Sequence, residues 1–113
     1  MNRSDWHGVM PAITTPLNKD LSVDFGFLAN HVAMMVDAGV TAIVTPGSLG
    51  EANALSREER ERIWSTCVNA VDNRIPVVAA ISALATATAV TYAQAAEHAG
   101  CQGLMVLPPY AYI

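Results

Sequence analysis

Ile75-Pro76-Val77-Val78-Ala79-Ala80-Ile81 is a run of apolar residues with no polar alternation. A strand that is greasy on both faces belongs in a parallel sheet covered on both sides, so this stretch decides between a parallel α/β fold and an antiparallel one. Asp72-Asn73-Arg74 before it has turn composition, and the run ends near Ser82. Going backwards, Ser56-Arg57-Glu58-Glu59 has the S-x-x-E form of a capping box, which predicts a helix from there to about residue 71. Its inward face is expected to carry Ile63, Trp64, Cys67, Val68 and Val71, with Trp64 as packing. Arg57, Arg60 and Arg62 alternate with Glu58, Glu59 and Glu61 and read as a solvated face of mixed sign.

Further back, Ala42-Ile43-Val44 lies within a second β-leaning run over residues 40–45. Before it, Phe25, Leu28, Val32, Met35 and Val36 recur at helical spacing, with Asp24 as N-cap and Gly39 just past the end. Residues 9–14 form a first expected strand, stopped by Thr15-Pro16. Going forwards from Ser82, residues 86–99 are expected to form a helix with Ala89, Val90, Ala93 and Ala96 on one face and Gly100 as its stop. Gly103-Leu104-Met105-Val106-Leu107 reads as a fourth buried strand, ended by Pro108-Pro109.

Strand and helix therefore alternate in about four βα units, which predicts parallel pairing. Two architectures fit: an open doubly wound sheet of the flavodoxin type, or the N-terminal half of a (β/α)8 barrel, which needs roughly 250 residues against the 113 present. Either way the C-terminal ends of the strands form one rim, carrying Thr14 and Thr15, Thr45-Pro46-Gly47-Ser48-Leu49-Gly50-Glu51, Ser82, and the tail over residues 108–112. Gly47 and Gly50 are expected to take backbone angles closed to other residues and to let a ligand approach main-chain N–H groups. With the Ser48 hydroxyl between them, such a loop suits a small carboxylate or phosphate. Glu51 is expected to be a structural acid bonded to neighbouring backbone, and Ser82 a hydroxyl satisfying its own loop. No G-x-G-x-x-G turn and no acidic cluster follows the first strand, which argues for the barrel over a phosphate-binding open sheet.

Hydrophobic residues make up 52% of the chain and charged ones 14%, with a mean hydropathy of +0.31. That excess points to surface destined for burial elsewhere. A net charge of −4 without a basic patch argues against nucleic acid as a partner. No apolar run reaches membrane-span length and the first residues lack a signal-peptide core, so we expect a cytoplasmic protein with no membrane partner. Cys67 and Cys101 have no Cys or His at ligand spacing and read as reduced, partly buried thiols; no metal and no cofactor is expected.

Several motifs in order resemble the dihydrodipicolinate synthase and N-acetylneuraminate lyase family of class I aldolases, which are barrels. They are the opening strand to Thr15-Pro16, Gly47-Ser48-Leu49-Gly50-Glu51 with Leu55-Ser56 and Glu59 following, Arg74-Ile75-Pro76-Val77, and Gly100 through Pro108-Pro109-Tyr110. The resemblance implies a lyase or synthase in which a lysine forms a Schiff base with pyruvate or another 2-keto acid. It implies that Gly47, Ser48 and Leu49 bind the substrate carboxylate, Ser48 through its hydroxyl and Leu49 through its N–H, and that a tyrosine after the fourth strand relays protons. It also implies a homo-oligomer for the complete enzyme. Leu49 stands where the family has a second threonine. The family tyrosine falls on Ala111, flanked by Tyr110 and Tyr112, and the Pro-Pro-Tyr form resembles the sugar-acid dehydratase branch. The stretch 79–89 lacks the tyrosine some synthases lend across a dimer. Lys19, the chain's one lysine, lies in a turn, so the Schiff-base lysine is expected outside these residues and the isolated chain is expected to be inactive. The competing expectations are a non-catalytic half-barrel that pairs with itself or a partner, and a small-anion-binding open sheet.

Overall fold

The computed structural model describes residues 1–109. Three parallel strands, β1 (Ile43–Thr45), β2 (Val77–Ile81) and β3 (Gly103–Val106), lie side by side in the order β1-β2-β3. Helices α1 (Phe25–Asp37), α2 (Arg57–Val71) and α3 (Thr86–Ala99) precede or connect them. The register pairs Ile43 with Val77, and Val78 with Gly103. Each strand sits beside its sequence neighbour with no reversal. A flavodoxin-type sheet reverses direction at its switch point, so this order is that of a barrel segment.

Helix ends follow the caps read from sequence. The Asp24 carboxylate accepts from the Phe27 N–H at 2.9 Å, and Ser56 and Glu59 make the reciprocal capping box that starts α2. Gly100 ends α3 at φ +102°, a conformation only glycine adopts without strain. Leu28, Val32 and Val36 of α1 and Ile63, Cys67 and Val71 of α2 pack on Ile43 and Val77 in one continuous core. Trp64, fully buried, packs with Ala79, Ile81 and Ala96. On the opposite face of the sheet Ala42, Val44, Val78 and Ala80 meet Met1 and Met10. Alternate strand residues thus serve opposite faces, and both faces of β2 are dry.

Two expectations about strands need correction. Residues 9–14 do not form a strand; their ladder with β1 is a single bridge, Ala12 to Val44. Val44 N–H donates to the Pro11 carbonyl at 3.0 Å and Ile13 N–H to the Val44 carbonyl at 3.1 Å. One step earlier, the ladder requires an N–H at residue 11, and proline has none. The second correction concerns β3, which was expected to be buried. Leu104, Met105 and Val106 are exposed, because no strand among the described residues pairs with the outer edge of β3. Val90 of α3, expected on the inward face, is likewise half exposed.

Candidate active site

The loop after β1 is built by contacts that fix its backbone. The Thr15 hydroxyl, buried, donates to the Gly50 carbonyl at 2.7 Å, tying the first segment to the loop. The Trp64 indole N–H donates to the Thr45 carbonyl at 3.0 Å, anchoring the strand end to α2. Within the loop, Glu51 N–H donates to the Ser48 carbonyl at 3.1 Å and Ala52 N–H to the Gly47 carbonyl at 3.2 Å. A 3-10 turn, Ala52–Ala54, then leads into α2. Gly47 and Gly50 are buried, while Ser48 and Leu49 are exposed.

The glycines act differently from expectation. Neither Gly47 nor Gly50 has a positive φ; the left-handed residue is Glu51, at φ 57° and ψ 37°. Gly50 is needed for proximity instead, since a Cβ there would lie 3.1 Å from the Ile13 carbonyl oxygen and 3.2 Å from the Pro46 backbone. A Cβ at Gly47 meets only ordinary contacts at 3.8 Å. Glu51 itself is exposed, and its role in the turn comes from its backbone rather than from its carboxylate bonding neighbouring N–H groups, as was expected. The Leu49 N–H donates to no acceptor among the described residues, and Leu49 is exposed next to Ser48 in the chain.

Ser82 closes the other side. Its hydroxyl does not satisfy its own loop; it donates to Asn53 Oδ1 at 2.7 Å, joining the end of β2 to the turn after the 47–51 loop. Asn53 and Ser82 are shared walls of two cavities, one of about 280 Å3 that also touches Ser48 and Glu51, the other of about 450 Å3 that also touches Arg60 and Tyr92. Arg60 is only 3% exposed, which corrects the reading of residues 57–62 as a wholly solvated face. Its guanidinium donates to the Ala52 carbonyl at 2.5 Å and the Ser82 carbonyl at 3.2 Å, and lies 4.5 Å from the centre of the Tyr92 ring. Burial pulls its pKa below the ordinary arginine value, and Tyr92 opposes that shift. Asn53 and Arg60 were missed by sequence reasoning. Arg60 left one signal: it stands three and four residues before Ile63 and Trp64, on the inward stripe of α2.

Thr14 is exposed at the rim and Thr15 is buried below it. Tyr110 and Tyr112, the candidate proton relays, lie outside the described residues, as does Ala111. Lys19 is exposed in its turn, as expected. Burial pushes the Cys67 and Cys101 thiols up to about 12, as suits buried neutral groups, and both cysteines are free. Among the described residues no group of three or more His, Cys, Asp or Glu side chains is arranged to hold a metal ion, and no helix is long and apolar enough to cross a membrane.

The model of the dihydrodipicolinate synthetase family matches residues 5–113. The chain belongs to that family. It is 36% identical over 107 residues to an uncharacterized DapA-like lyase of Rhizobium meliloti, covering 95% of this chain and 36% of that relative. Dihydrodipicolinate synthase from Aquifex aeolicus superposes with a TM-score of 0.88 at 33% identity, over 93% of this chain and 36% of that one. A prophage protein of the dihydrodipicolinic acid synthase family from E. coli K12, crystallised in complex with pyruvate, superposes with a TM-score of 0.89 at 29% identity, over 95% and 36%. The family member described here thus spans about a third of the length of the relatives it matches. Its α/β fold of sequentially ordered parallel strands is the matching part of their barrel, as the resemblance implied.

Proposed function

We propose that residues 1–113 supply the carboxylate-binding side of a Schiff-base lyase or synthase acting on pyruvate or a related 2-keto acid. The observation that carries this reading is the exposed Ser48-Leu49 pair, whose Leu49 N–H has no acceptor among the described residues, on a strand-end rim in a member of this family. A carboxylate held by a hydroxyl and an N–H gains charge-assisted hydrogen bonds, each worth about 1.5–3 kcal/mol. Gly50 lets the loop pack closely on Ile13 and Pro46, and Leu49 contributes its N–H without a second hydroxyl.

The reaction needs an amine that is partly unprotonated near neutral pH. In the proposed step that amine attacks the keto carbon, water leaves, and the resulting iminium draws electrons from the adjacent C–C or C–H bond. Lys19 is exposed in a turn, a setting that does not depress an amine pKa; in this reading the lysine comes from outside residues 1–113, and these residues alone carry no aldolase activity. Tyr110 or Tyr112 relays the proton through its phenol. The pyruvate bound by the E. coli relative is the substrate model, and a cytoplasmic homo-oligomer is the proposed assembly. The strand order leaves the open-sheet alternative without support.

Incubation with pyruvate and borohydride tests this. The expected result is no adduct on the 113-residue chain and one reduced pyruvate adduct, on a lysine other than Lys19, in a protein that carries the chain within a complete barrel. No adduct on the longer protein overturns the reading in favour of a non-catalytic half-barrel.

A further inference from the structure

Arg60 is a buried cation whose partners among the described residues are all neutral. Among the described residues no carboxylate forms an ion pair with it; the ion pairs present are Arg57 with Glu61 and Arg74 with Asp37. Its Nε makes no hydrogen bond, and its two terminal nitrogens reach three oxygen atoms: the Ala52 carbonyl, the Ser82 carbonyl and, at a long 3.5 Å, Asn53 Oδ1. A buried charge without a counter-ion is costly unless hydrogen bonds compensate it, so what those bonds hold is informative. Those bonds join two segments far apart in sequence: the turn that immediately follows the 47–51 loop, and the end of β2. The same guanidinium covers the Tyr92 ring of α3. Arg60 therefore locks the Asn53–Ser82 wall between the cavity that touches Ser48 and the cavity that touches Tyr92.

We infer that Arg60 is the positioning residue of the 47–51 loop: by clamping the carbonyls of Ala52 and Ser82 it sets where the Ser48 hydroxyl and Leu49 N–H point, without touching the ligand. The planar fork of arginine is what the site requires, since two diverging N–H groups must meet carbonyls from different segments; the single ammonium of lysine meets one of them well.

The inference rests on the keto-acid reading for its functional consequence, and on the hydrogen bonds alone for its structural one. The test uses the protein that carries residues 1–113 and its Arg60→Met and Arg60→Lys variants, with two readouts. The first is amide hydrogen exchange at Glu51 and Ala52, whose N–H groups close the loop. Arg60→Met is expected to speed it by about tenfold or more, the worth of one hydrogen bond to a charged group, with α1 amides unchanged. The second is the pyruvate concentration that half-saturates borohydride trapping. It is expected to rise about fivefold or more while the plateau rate stays within about twofold, because loop placement affects binding rather than the covalent step. Arg60→Lys is expected to recover part of both effects. Should Arg60→Met fail to fold, Asn53→Ala, which removes an acceptor shared by Arg60 and Ser82, is expected to shift both readouts the same way by a smaller factor. A folded Arg60→Met protein with unchanged loop exchange and unchanged half-saturation overturns the inference. If the unaltered protein traps no pyruvate, the keto-acid reading fails, and the exchange measurement alone decides whether Arg60 positions the loop.

Discussion

β2 and β3 are adjacent, parallel and similarly apolar in sequence, yet β2 is buried along its whole length and β3 is mostly exposed. The difference is not in the residues but in what stands beside them. β2 has a strand on each edge, helices on one face and Met1 and Met10 on the other, whereas β3, among the described residues, has a strand on one edge only. Apolar sequence reports a demand for cover; the neighbouring element meets it. Leu104 and Val90 form parts of one surface groove of about 380 Å3, so the unmet demand extends from the sheet edge onto α3.

The largest effect that bears on this comparison is chemical. Cys101 enters β3 and Cys67 lies under β2, and burial pushes both thiols from 9.0 up to about 12. At pH 8 a maleimide is therefore expected to label each about a thousandfold more slowly than a free thiol, since the thiolate is the reactive form. Fast labelling of Cys101 alone would show that the opening at β3 reaches the foot of the strand. The same shift sets a pH dependence. The folded thiols stay neutral while unfolded ones ionise, so stability is expected to fall as pH rises above about 9 in a denaturation series.

Next in size is truncation on the two strands. Ile81→Ala is expected to cost about 2–5 kcal/mol in denaturant unfolding, whereas Leu104→Ala on the 113-residue chain is expected to stay within about 0.5 kcal/mol. In a protein whose further segments cover β3, the Leu104 cost is expected to rise towards that of Ile81. Equal costs in the short chain would break the comparison. A smaller effect separates the glycines of the loop. Gly50→Ala pushes a methyl against Ile13 and Pro46 and is expected to cost about 1–3 kcal/mol, while Gly47→Ala, with ordinary contacts only, costs far less. Smallest is Ser56→Ala, which removes the capping box of α2 for about 1 kcal/mol in the same assay.

Much of this was legible in the sequence. Asp24, Ser56 with Glu59, and Gly100 marked helix ends because each signal is local: a side chain meets its own backbone within a few residues. The apolar run at 77–81 was legible because a strand dry on both faces tolerates no polar residue. What stayed hidden depends on partners distant in sequence. Pro11 looked like one residue of a strand, and only its place beside β1, one residue before the Ala12–Val44 bridge, shows that the ladder fails there. Glu51 takes the left-handed turn that Gly47 and Gly50 suggested, while Gly50 is held by Thr15 and packed closely against Ile13 and Pro46. Arg60 was hidden by its charged neighbours, whose alternating signs outweighed its place on the stripe of Ile63 and Trp64. The pairing of Asn53 with Ser82 left no sequence signal, as it joins two loops across 29 residues.

The central claim is that the 47–51 loop holds a 2-keto-acid carboxylate, and the most direct measurement is the pyruvate dependence of borohydride trapping with and without the Ser48 hydroxyl. In the protein that carries this chain, Ser48→Ala is expected to raise the half-saturating pyruvate concentration by about tenfold or more, the loss of one charge-assisted hydrogen bond. An unchanged half-saturating concentration would contradict the account.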